Sequence, residues 1–212
     1  MLGDILLISE KHQKAAKKIL KKVLKEKKEK YIVAISGESG SGKTELAHVL
    51  AKMLRKEGIF AKPIHIDNYY MVHPLERTEW RKCQGIENAV GLNEYDWDTI
   101  YKNIDDFINN KKSTMPCIDL VTEQVDSLTT DFNGIDMLII DGLYAINTLG
   151  VDLGIFIELT YHDTKKAQIV RGKEPQNEYR MKVLEREHQV VQSIKPKARL
   201  LVTNDYDVVD AP

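Results

Sequence analysis

No run of apolar residues in this chain is long enough to cross a bilayer, so a membrane-spanning helix is not expected. Cysteine is scarce, and Cys83 and Cys117 stand far apart without metal-ligand spacing, a pattern suited to a reducing cytosol. Neither sign of charge prevails. The 31 Lys and Arg against 32 Asp and Glu leave a net charge of −1, so the molecule as a whole carries no basic field for nucleic acid. The opening MLGDILLISEKH has only a brief apolar patch with an acid before it and no cleavage pattern after it, and is not read as a signal peptide. Internal repeats and low-complexity linkers are also missing. A chain of 212 residues can bury one sizeable core, and a cytoplasmic single-core protein is the expectation.

What is present centres on residues 31–54, YIVAISGESGSGKTELAHVLAKML. Residues 31–36 are a short apolar run with β-branched members, the pattern of a buried parallel strand. Leu46, Val49, Leu50, Met53 and Leu54 then recur at helical spacing, with Gly58 placed to end the helix. Between strand and helix lies GESGSGKT, the spacing of a phosphate-binding P-loop. Gly37, Ser39, Gly40, Ser41, Gly42, Lys43 and Thr44 are therefore the candidate nucleotide cradle. Glycines let successive N–H groups curl toward phosphate oxygens, and the helix N-terminus adds its positive dipole end. Lys43 is placed to reach the outer phosphates of ATP, and the Thr44 hydroxyl to hold Mg²⁺.

Residues 11–30 hold ten lysines and two glutamates around a stripe of Ala15, Ala16, Ile19, Leu20, Val23 and Leu24. This predicts a basic amphipathic helix region over 1–30, followed by a P-loop domain over 31–212. No bulky aromatic lies on the apolar stripe, which favours a solvated helix packed beside the first strand over a nucleic-acid or membrane surface. Residues 61–66 read as a second strand, with Pro63 pointing to an edge, and deliver Asp67 to the strand's C-terminal end. A long polar and aromatic connection follows, with a short helix expected around Glu79, Trp80 and Arg81 and a longer one over 98–109. Residues 115–121 and 127–132 suggest a small β-arm. DMLIID, residues 136–141, is an apolar run ending in an acid, as a strand that presents a carboxylate to Mg²⁺ requires. Beyond another strand at 153–159, Arg171, Lys173, Arg180 and Arg186 form a basic cluster that a helical lid would fold over the transferring phosphate.

GESGSGKT, HIDNYY, IIDGLY, RGK and IKP, in that order, resemble the phosphoribulokinase/uridine kinase family of P-loop kinases over roughly residues 31–209. The resemblance implies an α/β P-loop fold, a three-layer α/β/α arrangement with a central, mostly parallel sheet, a small β-arm and a helical lid. It implies ATP and Mg²⁺ as cofactors and a small-molecule alcohol as acceptor, most like a nucleoside. By resemblance Asp67 is the general base and helps hold Mg²⁺ with Thr44 and Asp141, while Lys43, Arg171 and Arg180 offset charge on the phosphoryl group. Tyr69, Tyr70, Asp119 and Glu123 fall on the acceptor side. The acceptor half departs from uridine kinases. Glu123 and Val125 stand where those enzymes carry a His and an Arg, and Asn93-Glu94-Tyr95-Asp96 replaces their Asp-His-Pro-Asp. Uridine kinases also usually have Glu at the position of Asp141.

Other readings stay open on residues alone. A sugar or pantothenate is a further acceptor choice, and the lysine-rich helix raises a polynucleotide kinase. A nucleotide-dependent switch is weakly echoed in Asn204 to Asp207, where Asp205 stands in place of the lysine that guanine recognition needs. Self-association is left open.

Overall fold

The computed structural model describes residues 2–171 and 177–212. In chain order the elements are α1 (Glu10–Glu26), β1 (Tyr31–Gly37), α2 (Lys43–Lys56), β2 (Ala61–His65), α3 (Arg77–Gln84), α4 (Ile86–Ala89) and α5 (Trp97–Ile108). There follow β3 (Lys112–Asp119), β4 (Gln124–Asp131), β5 (Met137–Asp141), β6 (Leu153–Ile157), α6 (Lys165–Arg171), α7 (Glu178–Ile194), β7 (Leu200–Val202) and β8 (Val208–Asp210).

Six strands form one sheet in the order β2-β5-β1-β6-β7-β8, parallel except for the β7–β8 pair. β1, β5 and β6 are buried along their whole length because both faces of the sheet are covered. The alternation along β1 divides the core. Val33 and Ile35 face α1 and α2, whereas Ile32 and Ala34 face α5 and α7. The expected three layers with a mostly parallel sheet are thus present, and Pro63 sits on the edge strand, where its missing N–H interrupts no inner ladder.

Several bounds differ from the sequence reading. Helix α1 stops at Glu26 rather than running to residue 30, since Lys30 adopts a positive φ of 55° to turn into β1. Ala15, Ala16, Ile19 and Val23 lie in the same core as β1 and α2, while Lys14 and Lys18 pair with Asp207, and Lys22 with Asp210, beside the β8 edge. Strand β2 ends at His65, and Ile66 opens a 3₁₀ turn, Ile66–Tyr69, that carries Asp67. The connection after it is more ordered than its weak periodicity suggests, holding α3, α4 and a 3₁₀ turn at Leu92–Glu94. Asp96 caps α5 by accepting the Thr99 N–H at 3.0 Å. The β-arm is an antiparallel hairpin longer than expected, paired from Lys112↔Asp131 to Asp119↔Gln124.

Candidate active site

The parallel strands β1, β2 and β5 end side by side, and their C-terminal ends set the site. At the end of β1 the loop needs glycine where the chain is crowded. Gly42 has φ 92°, and a Cβ there would meet the Tyr206 hydroxyl at 2.1 Å and His12 Nε2 at 2.6 Å. The Tyr206 hydroxyl donates to the Ser41 carbonyl, so the last strand pair and α1 both brace the loop from behind. Lys43 Nζ donates to the Glu38 carbonyl at 2.8 Å, and Thr164 Oγ1 to the Ser39 carbonyl at 2.7 Å. The Glu38 carboxylate is buried and fully used. It accepts the Tyr161 N–H at 2.8 Å, His188 Nδ1 at 2.7 Å and Gln192 Nε2 at 2.7 Å, tying α7 to the loop.

Asp141, at the end of β5, is 2% exposed. Thr44 Oγ1 donates to its Oδ2 at 2.8 Å, and His65 Nδ1 contacts its Oδ1. Burial alone would raise the Asp141 carboxyl, but the neighbouring His65, the Thr44 hydroxyl and the Lys43 charge together hold it below the ordinary carboxylate range. An ionised carboxylate beside a hydroxyl at a helix N-terminus fits Mg²⁺, which favours one or two carboxylates plus phosphate oxygens. Among the described residues no group of three or more His, Cys, Asp or Glu is clustered for a metal. Thr44 and Asp141, in direct contact, are two of the three residues the sequence names for the cation, and Asp67 is the third. Asp67 is half-buried, its Oδ1 enclosed without a hydrogen-bond partner.

A second cluster lies beyond Asp67. Arg81 donates to Glu94 at 2.7 Å, Arg180 to Glu187 at 3.0 Å, and Arg81 approaches Glu187 at 3.8 Å. All four are buried. Burial pushes the Glu94 carboxyl up, against the pull of Arg81. Burial also pushes up the phenols of Tyr70, Tyr95 and Tyr144, and Asp67 adds to the effect at the first two.

The structure thus brings Lys43, Thr44 and Asp141 together and sets Asp67 among the tyrosines beside them. The other sequence candidates make the following contacts within the protein. The Tyr69 hydroxyl is committed to Asn103 at 2.9 Å inside the core, and Tyr70 accepts the Tyr95 hydroxyl at 2.7 Å. Asp119 and Glu123 lie at the turn of the arm, where Asp119 accepts the Val121 N–H at 2.8 Å and Glu123 takes a positive φ of 57°. The Arg180 guanidinium is engaged within α7, and the Arg171 side chain and Lys173 lie outside the described residues. Asp207, which a guanine-binding switch would need, is held by Lys14 and Lys18.

Sequence reasoning missed His65, Glu38, Arg81, Glu94, Tyr144 and Glu187. For Glu187 a signal existed. Arg180, Val183, Leu184, Glu187, Val191 and Ile194 form one buried helical stripe, and two charges on an apolar stripe at i and i+7 mark a functional or paired position. An open cleft of ≈ 400 Å³ is lined by Glu158, Thr160, the two Glu38 partners His188 and Gln192, Lys195 and Asn204.

The sequence model of the phosphoribulokinase/uridine kinase family matches residues 32–195. A uridine kinase of Ureaplasma parvum is 26% identical over 151 residues, spanning 69% of this chain and 70% of that protein. A bifunctional alpha-galactosidase/sucrose kinase of Mediterraneibacter gnavus is 26% identical over 192 residues, 84% of this chain but 20% of that protein. The fold is shared with a solved structure described as a possible uridine kinase from Bacillus stearothermophilus, with a TM-score of 0.64 and 20% identity over 89% of this chain and 97% of that one.

Proposed function

Because the chain belongs to the phosphoribulokinase/uridine kinase family, we propose that it transfers the γ-phosphoryl group of ATP to the hydroxyl of a small-molecule alcohol. The observation that carries this reading is the pairing of Thr44 with the buried, ionised Asp141 at the foot of the P-loop, with the enclosed Asp67 oxygen on the next strand's exit. Thr44 and Asp141, with Asp67 as the third residue, would hold Mg²⁺, which would neutralise phosphate charge during transfer. The loop N–H groups and the α2 N-terminus bind the phosphates, and Lys43 exchanges the Glu38 carbonyl for them. The cleft beside Glu38 takes the base and ribose, which couples nucleotide binding to α7 through His188 and Gln192. Asp67 accepts the acceptor's hydroxyl proton as its oxygen bonds to the γ-phosphorus and ADP leaves. Alignment and electrostatics carry the rate, since little covalent chemistry falls to the protein.

Relatives named for uridine and for sucrose leave the acceptor to be read from this chain's own residues. The test is Asp67→Asn. Turnover scored by ADP release should fall by about 10²–10⁴, while ATP affinity by calorimetry stays within a few-fold of the parent. Near-normal turnover in that variant removes Asp67 from the mechanism.

A further inference from the structure

The phosphate loop is held from behind by two hydroxyls, each on a carbonyl that precedes a glycine. Thr164 Oγ1 donates to the Ser39 carbonyl at 2.7 Å, and the Tyr206 hydroxyl donates to the Ser41 carbonyl. The Thr164 hydroxyl has one proton to give. The Thr160 carbonyl, 3.1 Å from it, already accepts the Thr164 N–H, so the shorter contact to Ser39 takes that proton. Gln168 Nε2 approaches the same Ser39 oxygen at 3.4 Å. Both hydroxyl-bearing side chains are buried, Thr164 at 5% exposure and Tyr206 at 1%. The Tyr206 ring is fixed in turn, edge-on to His12 at 4.9 Å and with Lys11 Nζ over it at 4.5 Å.

A peptide unit is planar and trans, so its C=O and the N–H that follows point in opposite directions. Binding the Ser39 carbonyl from behind therefore turns the Gly40 N–H toward the mouth of the loop, and binding the Ser41 carbonyl does the same for the Gly42 N–H. Among the described residues neither N–H has a hydrogen-bond partner within the chain. The anchors matter because a glycine lies on the far side of both peptides. Gly40 at φ 76° and Gly42 at φ 92° have no Cβ to confine them, and a rotated peptide plane would put a carbonyl oxygen where a phosphate oxygen has to sit. Each anchor stands directly against its glycine: a Cβ on Gly40 would meet Thr164 Oγ1 at 3.1 Å, and one on Gly42 would run into the Tyr206 hydroxyl.

We propose that Thr164 and Tyr206 are positioning residues of the phosphate loop, each holding one carbonyl back so that the N–H groups of Gly40 and Gly42 are aimed at a polyphosphate before it arrives. Both act through the backbone. The proposal rests on the kinase reading only in taking the ligand of the loop to be a triphosphate. Donors already in place bind an anion without the cost of turning two peptides. Each anchor then contributes the net worth of one hydrogen bond, a factor of about three to ten in affinity. Thr164 lies 125 positions from Ser39 and Tyr206 165 from Ser41, so the aim of the loop is set by residues far outside its own motif.

The test uses the full chain labelled with ¹⁵N-glycine, and inorganic tripolyphosphate with Mg²⁺ as the probe. In the parent, saturation should displace the amide signals of both Gly40 and Gly42. Tyr206→Phe, which deletes one hydroxyl, should weaken tripolyphosphate about three- to ten-fold in calorimetry and shrink the Gly42 displacement while leaving that of Gly40. Thr164→Val should weaken it by a similar factor with the reverse pattern. Thr164→Ser keeps the hydroxyl and should return both the affinity and the Gly40 signal to the parent's. The two sites are read independently, so either decides if a variant at the other does not fold. Lower urea midpoints with unaltered tripolyphosphate affinity mean that the hydroxyls only stabilise the fold, and overturn the proposal. Equal loss at both glycines in each variant, a general loosening of the loop, overturns it as well. A parent that binds no tripolyphosphate overturns this proposal and the kinase reading together. The expected glycine pattern without ADP release on any alcohol upholds the proposal and overturns the kinase reading alone.

Discussion

His65→Ala tests the electrostatics of the site most directly. The imidazole Nδ1 is the partner of Asp141 Oδ1, and Thr44 Oγ1 fills only Oδ2, at 2.8 Å. The Asp141 side chain is 2% exposed, so deleting the ring strands an ionised oxygen in a nearly closed site. Breaking a fully buried charge pair costs about 3–5 kcal/mol. The His65 side chain is 26% exposed, however, so water enters the vacated space and the loss falls toward the cost of one unmade hydrogen bond. We expect about 2 kcal/mol, which at an m-value of about 2 kcal/mol/M lowers the urea midpoint by about 1 M. His65→Asn, whose amide N–H sits near the original Nδ1, should restore most of it. The pH dependence follows with a definite sign. The folded Asp141 carboxyl is depressed below its ordinary 3.8, so its contribution is complete above that value and is lost as pH falls through the folded one. Without His65 the burial that opposes ionisation prevails, and the acid-unfolding limb moves to higher pH. Manganese affinity of the ADP complex, read by electron paramagnetic resonance, should weaken in the Ala variant and recover in the Asn variant. An Ala variant within about 0.5 kcal/mol of the parent at pH 7, with the same acid limb, refutes the reasoning.

Three further outcomes are checked by simpler means. Gly142→Ala places a methyl 2.1 Å from Ile66 Cγ1, beside Asp67, and should cost about 1–3 kcal/mol in urea melts and lower kcat as the 3₁₀ turn shifts. Ile19→Ala removes a fully buried side chain of α1 from the core it shares with β1 and α2, and should cost about 2–5 kcal/mol by thermal or urea unfolding. Burial raises the phenols of Tyr31, Tyr69, Tyr70, Tyr95, Tyr144 and Tyr161, so in a spectrophotometric titration these six of the nine tyrosines should stay protonated through about pH 11 until the fold opens. The unfolded chain gives up those protons above its ordinary value of 10 while the folded chain keeps them. Each then removes about 1.4 kcal/mol of stability per pH unit beyond 10.

The residues that chain-local physics constrains were legible before any fold was known. GESGSGKT must curl around an anion because glycine spacing and the helix start dictate it, and β1 and β5 read as buried strands because apolar runs of that length have few other uses. The same logic failed where a side chain's partner lies far along the chain. Tyr69 and Tyr70 look alike in IDNYY, yet one is locked to Asn103 in the core and the other packs against Arg77 and Tyr95. Asp96 was available as a helix cap, since Asp with Thr three residues on carries a local signal.

The sequence by itself determined the phosphate cradle, the carboxylate at the end of β5 and the layered α/β frame, because each depends on residues close in the chain and on periodicity. Only the tertiary structure decided that His65 holds Asp141, that Glu38 ties α7 to the loop, and that Arg81, Glu94, Arg180 and Glu187 form one buried network. Those contacts join elements many residues apart. Their strength comes from shared burial, which is a property of the packed core and not of any local pattern.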